Sequence, residues 1–291
     1  MRKKMLLLLV LTWHVSYSVE AQPAPGWAVP LDIKLSQIAP AELQQACLWL
    51  EQRKMNEARS AFEELLKKDN RSYVAAYGWL QTTTAEERKR LSRSYEEALK
   101  QSPTAMNYFK ASILYLYLAY DTDDIAKRGP LFLRCSEYAR KAYQLDPNPY
   151  MVILFDNCPV PGLPKMLEEQ MGSILGEESM RVYLQAKQRR WQFDKLPPVK
   201  HLDLHRLQLL RAIVRLAYPY VLEAEGGWIV ENKPDPVDPQ RIHVLGRYTP
   251  LGTRIRAYFR KWVNAIDQAL MSRRGEKRTH FGWTLTRKNL A

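Results

Sequence analysis

Between residues 42 and 70, apolar and polar positions follow the period of an α-helix in two successive runs. Met55, Ala58, Phe62, Leu65 and Leu66 recur at spacings of three and four, so they form one stripe on a helix of 3.6 residues per turn. Glu57, Arg59, Glu63, Glu64, Lys67 and Lys68 take the other face. Glu63 precedes Lys67 by four, a favourable order contributing about 0.2–0.5 kcal/mol. Upstream, Leu43, Ala46, Cys47 and Leu50 repeat the period, and the polar run Glu51, Gln52, Arg53, Lys54 marks a turn. Two amphipathic helices joined so tightly are expected to pack antiparallel.

The same patterning continues. Tyr73, Ala76, Tyr77 and Leu80 make the inner stripe of the next helix, and Thr84 followed by Glu87 is a capping box that opens its partner. Asn107, Lys110, Leu114 and Tyr117 share a face of a helix over 104–120. Past Pro149, the breaker-rich PVPGLP (159–164) precedes helical runs over 165–172 and 177–193. A long helix over 203–224 carries Leu207, Leu210, Val214, Ala217 and Val221 on one face and Arg211 and Arg215 on another. Pro219 is expected to bend it, and Gly226 and Gly227 to end it. ENKPDPVDPQ (231–240) holds three prolines, so it is not helical, and the flanking WIV and RIHVLGRY are expected to pair as short strands. The last strong helix begins near Thr249 and Pro250, with Leu251, Ile255, Tyr258, Phe259, Trp262, Val263, Ile266 and Leu270 along one side. Gly275 should stop it, leaving EKRTHFGWTLTRKNLA as a loose tail.

The order Ala46, Trp49, Glu57, Ala58, Phe62, Leu65, Asp69, Asn70 resembles a tetratricopeptide repeat, whose period is about 34 residues. A second copy reads from Ser72 to Pro103 through Gly78, Tyr95 and Ala98, and a third ends at Tyr138, Ala142, Asp146 and Pro147. The family usually has proline where Asn70 stands and tryptophan where Glu42 stands. The matched ends Asn70, Pro103 and Pro147 are unevenly spaced, and AYDTDDIAKRGP (119–130) is expected to absorb the difference as a long turn. The resemblance implies an all-α fold: antiparallel hairpins stacked as an α-solenoid over 39–148. Beyond residue 150 it is silent, and periodicity alone makes 165–291 a mainly helical, basic region with one short β-hairpin. In such repeats the first helices line a concave groove that holds extended peptides, which makes Tyr73, Asn107, Lys110 and Tyr117 the groove candidates. The alternative is that the tyrosines pack in a core, as aromatic stripes at helical spacing usually do.

Residues 1–21 carry Arg2, Lys3 and Lys4, then the apolar MLLLLVLTW, and close on Val19, Glu20 and Ala21. This is the form of a signal peptide, too short and too interrupted for a membrane span, so an exported protein, periplasmic or extracellular and soluble after cleavage before Gln22, is expected. An uncleaved amino-terminal anchor is the alternative. A Pro-rich leader over 22–38 should be extended. In an oxidising compartment Cys135 and Cys158 form the one pairing considered, tying the last hairpin to the loop after it. Three buried thiols acting as small apolar side chains are the favoured alternative, since free Cys is among the most buried types.

Charge changes the picture at the carboxy terminus. The formal net charge is +13, and from Arg241 onward twelve basic residues face only Asp267 and Glu276. Arg254, Arg256, Arg260, Lys261, Arg273 and Arg274 are therefore candidates for an anionic partner. Arg256, Tyr258, Phe259, Arg260, Lys261 and Trp262 interleave bases with aromatics as nucleic-acid binders do, but export argues against nucleic acid. Anionic envelope polymer, lipid headgroups or an acidic protein remain, beside a simple solvated face that keeps the chain soluble.

Candidate chemistry is sparse. His201 and His205, in HLDLH, share a face if the helix starts early enough, but no third ligand lies nearby and no glutamate follows the first His. A capping or surface pair is the alternative. Glu223 and Glu225, two apart, point to different sides of a helix. No GxSxG, Walker loop or GxGxxG occurs. A non-enzymatic protein of a bacterial-type envelope is expected, without cofactor or metal, docking a protein partner through its repeats or an anionic polymer or membrane surface through its basic end.

Overall fold

The computed structural model describes residues 34–155, 158, 160–234, 242–274, 277–279 and 282–284. The expected signal segment, the first part of the leader, the centre of the proline-rich loop and Gly275 lie outside the described residues, as does His280. Among the described residues the chain is all-α, with twelve helices and two small strand pairs.

Three helix pairs come first. α1 (Leu35–Ile38), a 3-10 turn (Ala41–Leu43) and α2 (Gln44–Glu51) lead into α3 (Met55–Lys68). α4 (Tyr73–Gln81) and α5 (Ala85–Gln101) follow, then α6 (Ala105–Tyr120) and α7 (Ile125–Leu145). Side-chain caps set the starts: Ser72 Oγ accepts from the Ala75 N–H, Thr104 Oγ1 from Asn107, and Thr84 and Glu87 form the expected reciprocal box. Gly78 lets α3 approach α4 closely, because a Cβ there would stand 2.3 Å from the Phe62 ring.

Two expectations change here. The end of the leader is not extended, because Leu35 and Ile38 are buried and a single helical turn puts both inward. The segment 119–130 is not a long turn either. Its residues lengthen α6 and α7, leaving only 121–124 between them. Asp124 caps α7, and the helix continues through Pro130, whose missing N–H leaves the Ala126 carbonyl without its intrahelical donor.

The second half contains α8 (Pro149–Leu154), α9 (Leu163–Leu175), α10 (Glu177–Gln188), α11 (Leu204–Ala224), β1 (Trp228–Pro234), β2 (Ile242–Tyr248), α12 (Pro250–Arg274), β3 (Lys277–Thr279) and β4 (Gly282–Thr284). β1 and β2 pair antiparallel as expected, with Trp228 opposite Tyr248. The helix expected to reach Phe193 stops at Gln188, because Arg190 and Trp191 adopt left-handed backbone (φ 52° and 61°). That turn drives the Trp191 indole into the core, and its burial offsets the roughly 1–2 kcal/mol such backbone costs per residue. α11 runs through Pro219, which is exposed and leaves the Arg215 carbonyl without its intrahelical donor. The tail is not wholly loose: β3 and β4 pair antiparallel, consistent with the β-favouring Thr279, Trp283 and Thr284.

One apolar cluster runs from Leu35 to Leu270. α4 and α6 are buried almost all round, as helices inside a larger body are. What covers them in part is α8, whose Met151, Val152, Ile153 and Leu154 are all buried and which packs against α4, α9 and α11. Phe155 continues it, its ring 5.6 Å from Phe109 on α6. The Tyr150 hydroxyl donates to the Ile38 carbonyl at 3.3 Å and lies 2.7 Å from His205 Nε2, joining α1 to α11.

Against the favoured expectation of three thiols, Cys135 and Cys158 are bonded to each other, with Cα atoms 6.7 Å apart, so α7 is tied to the segment after α8. Cys47 stays free and buried, and burial, with Glu51 adding to it, pushes its thiol up to about 12.

Because α8 belongs to one core shared by both halves, Ile153→Ala should cost about 2–5 kcal/mol and lower a single urea transition. Two separated transitions, only one of them shifted, would contradict that sharing. Reduction of Cys135–Cys158, which closes a loop of sequence separation 23, should remove about 3 kcal/mol, read as a lower urea midpoint with reductant present.

Candidate anion-binding site

α12 lies against α11 along its apolar stripe. Ile255, Tyr258, Phe259, Trp262, Ile266 and Leu270 are buried, and Tyr258 and Trp262 also pack against the Tyr183 and Trp191 rings. Two contacts fix the direction: Arg211 Nε donates to Asp267 Oδ1, and the Tyr218 ring stands 5.5 Å from Phe259. The helices therefore run antiparallel. The start of α12 needs glycine where it meets the end of α11, since a Cβ on Gly252 would lie 1.8 Å from the Gly227 carbonyl oxygen. Thr249 caps α12 there, its hydroxyl accepting from the Gly252 N–H at 3.0 Å.

This packing sorts the basic residues by face. At 3.6 residues per turn, Arg256, Arg260, Asp267 and Arg274 fall within an arc of about 40° on α12. Across the seam, α11 contributes Arg211 and Arg215, one turn apart. Asp267 is the one carboxylate in that set, and Arg211 takes it. Arg215 is half-buried, with no carboxylate within the 4.0 Å of an ion pair among the described residues. Loss of hydration, followed by repulsion from Arg211, lowers its affinity for the proton, and Asp267 only partly opposes this. The Arg256 guanidinium lies 5.1 Å over the Tyr248 ring, and the Tyr218 hydroxyl donates to that of Tyr248 at 3.1 Å, so two aromatic residues hold this cation in place.

The other candidates point elsewhere. Arg254 and Lys261 lie on the opposite flank of α12, where Lys261 Nζ sits 5.2 Å over the Phe193 ring. Arg273 donates to the Lys200 carbonyl at 2.9 Å, which ties α12 to the segment before α11. The six basic candidates thus do not form one patch. Arg256, Arg260 and Arg274 join Arg211 and Arg215, which the sequence placed only on a second face of their helix. Their spacing of four was the available signal, but nothing in the sequence brought that face beside α12.

The groove candidates are largely taken up by structure. Tyr73 is buried, its hydroxyl donating to Asp146 Oδ2 at 2.6 Å and its ring 5.0 Å from Phe109, so it packs in the core rather than lining a groove. Asn107 donates through Nδ2 to the Ser102 carbonyl at 2.8 Å, a local contact at the start of α6. Tyr117 lies half-buried under the Arg88 guanidinium, 4.7 Å away, with Tyr77 and Gln81 beside its hydroxyl, and burial raises its phenol well above the ordinary value. Lys110 alone remains uncommitted. It is half-buried, its proton affinity lowered by lost hydration, with no carboxylate at ion-pair distance among the described residues.

His201 and His205 do not share a helical face, because Asp203 caps α11 and the helix starts at Leu204. His201 Nε2 is 3.2 Å from the Leu175 carbonyl and must donate to it, while His205 meets Tyr150. Among the described residues no three His, Cys, Asp or Glu side chains converge as a metal site. Compared with known protein families, with curated proteins and with solved structures, the chain matches none of them.

A half-buried cation without a counter-charge costs stability. Arg215→Met should therefore raise stability by about 1 kcal/mol, read as a higher thermal midpoint. A lower midpoint would mean that Arg215 has a structural partner.

Proposed function

We propose that this chain is a non-enzymatic binding protein that works outside the cytoplasm and takes an anionic partner on the α11/α12 seam. One observation carries it: Arg211, Arg215, Arg256, Arg260 and Arg274 flank one seam with Asp267 as their sole carboxylate among the described residues, and Arg215 is held half-dehydrated among them. An anion arriving there meets cations that have already lost part of their water, so each contact is stronger than at a fully solvated side chain. The signal-like segment 1–21 and the Cys135–Cys158 bond support an oxidising compartment outside the cytoplasm. The helix pairs, which resemble tetratricopeptide repeats, serve in this proposal as the scaffold that orients the seam.

A second function, docking of a protein segment by the helix pairs, is favoured by Lys110 alone. An acidic side chain from a partner would supply the counter-charge that this half-buried ammonium lacks.

The two separate in solution. The full chain should bind dextran sulfate but not neutral dextran, with affinity falling about ten-fold or more between 50 and 200 mM salt. Failure to bind dextran sulfate even at 20 mM salt would overturn the anionic-partner proposal.

A further inference from the structure

The cations of the seam are arranged in a line. Pairing Arg211 with Asp267, and Tyr218 with Phe259, sets the level of every residue along it. From one end the order is Arg274, then Arg211 beside Asp267, then Arg215, Arg260 and Arg256. At a rise of about 1.5 Å per residue the row spans roughly 27 Å, with cations about 5–10 Å apart. A single small anion would use two of these side chains and leave the rest unsatisfied.

Depth distinguishes the possible partners. Arg260 and Arg274 are exposed, whereas Arg211, Arg215 and Arg256 are half-buried, and of these three Arg215 has neither a carboxylate nor an aromatic ring against it among the described residues. A bilayer surface would reach the exposed pair and stop short of Arg215. A helix that lies on a membrane also presents an apolar face to the lipid, whereas the apolar stripe of α12 is buried against α11, Tyr183 and Trp191. A thin chain with an oxyanion on each unit can lie in the seam and lower one group toward Arg215. The planar guanidinium suits such groups, since its N–H donors engage two oxygens at once.

We infer that the α11/α12 seam binds a linear, oxyanion-bearing polymer lengthwise, with Arg215 as the half-buried anchor and Arg260 and Arg256 as the contacts that follow it. The seam's role rests on the anionic-partner function proposed above. Arg254 and Lys261, on the opposite flank, take no part, and Asp267 keeps Arg211 oriented toward the chain.

The test uses the full chain and inorganic polyphosphate of graded lengths, followed by fluorescence anisotropy, with orthophosphate and phosphatidylglycerol vesicles as separate arms. Affinity should rise with chain length until the polymer spans the row and then level off. Arg215→Gln should weaken binding of the long polymer about ten-fold and reduce the magnitude of the salt slope by about 0.7, without lowering the thermal midpoint. Arg260→Gln, at an exposed position that cannot disturb the core, should weaken it about three- to ten-fold. The double variant Arg254→Gln with Lys261→Gln should change the affinity less than two-fold. If polyphosphate binds but only that double variant weakens it, the seam is overturned while an anionic partner stands. Orthophosphate binding as tightly as the polymer would overturn the lengthwise mode, and binding to vesicles but not to soluble polymer would overturn the polymer class. If no anionic probe binds at 20 mM salt, the function proposed above falls with it.

Discussion

The structure depends on the burial of one short, uncharged segment. Pro149–Leu154 and the following Phe155 carry five large apolar side chains that are almost wholly withdrawn from water, a gross transfer free energy on the order of 10 kcal/mol. A six-residue helix cannot bury so much against itself, so it must be enclosed by neighbours. α4 approaches from one side and α9 and α11 from the others. Enclosure fixes where α11 lies, and α11 in turn fixes α12 through the Tyr218–Phe259 and Arg211–Asp267 contacts. The arginine row is therefore a consequence of core packing two helices away.

Two further restraints act on the same junction. The Cys135–Cys158 bond spans the segment from α7 across α8, and the Tyr73 hydroxyl on α4 donates to Asp146 just before it. A cross-link of this kind removes conformations from the unfolded chain rather than adding a contact to the folded one. Together with the Tyr150 bonds to Ile38 and His205, they hold the amino-terminal helices and the α11/α12 pair in one frame.

Helix positions were legible in the sequence because helical periodicity is local. The stripes beginning at Met55, Leu207 and Ile255 could be read without knowing what they face, and the Thr84 and Glu87 box followed from two residues three apart. The errors came where a distant partner decides the outcome. Trp191 ends α10 because the core gains a buried indole, and no local signal at Arg190 announces the left-handed turn. Residues 119–130 read as a long turn because the uneven spacing of the matched repeat ends had to be absorbed, yet α6 and α7 pack along each other and extend into them. Tyr73 looked like a groove residue because its helix was assumed to have an open face, which the enclosure of α8 removes. The same limit hid the site: Arg211 and Arg215 were visible as a second face of their helix, but their closeness to Arg256 and Arg260 arises only when the helices pair.

The charge balance of the seam is what sets it apart from an ordinary solvated face. Three arginines of the amino-terminal half have acidic neighbours: Arg59 reaches Glu63 and Glu87, Arg88 reaches Asp121, and Arg134 reaches Glu96. Such pairs contribute little stability but cancel the local field. On the seam, among the described residues, one aspartate stands against five arginines, and it is already bound by one of them. A chain selected only for solubility would gain nothing by placing a cation where hydration is poor, because an exposed Arg215 would supply the same charge without the desolvation cost. A half-buried, unpaired guanidinium beside another of like charge makes physical sense when an external anion completes it, since the energy lost in the free protein is then recovered on binding.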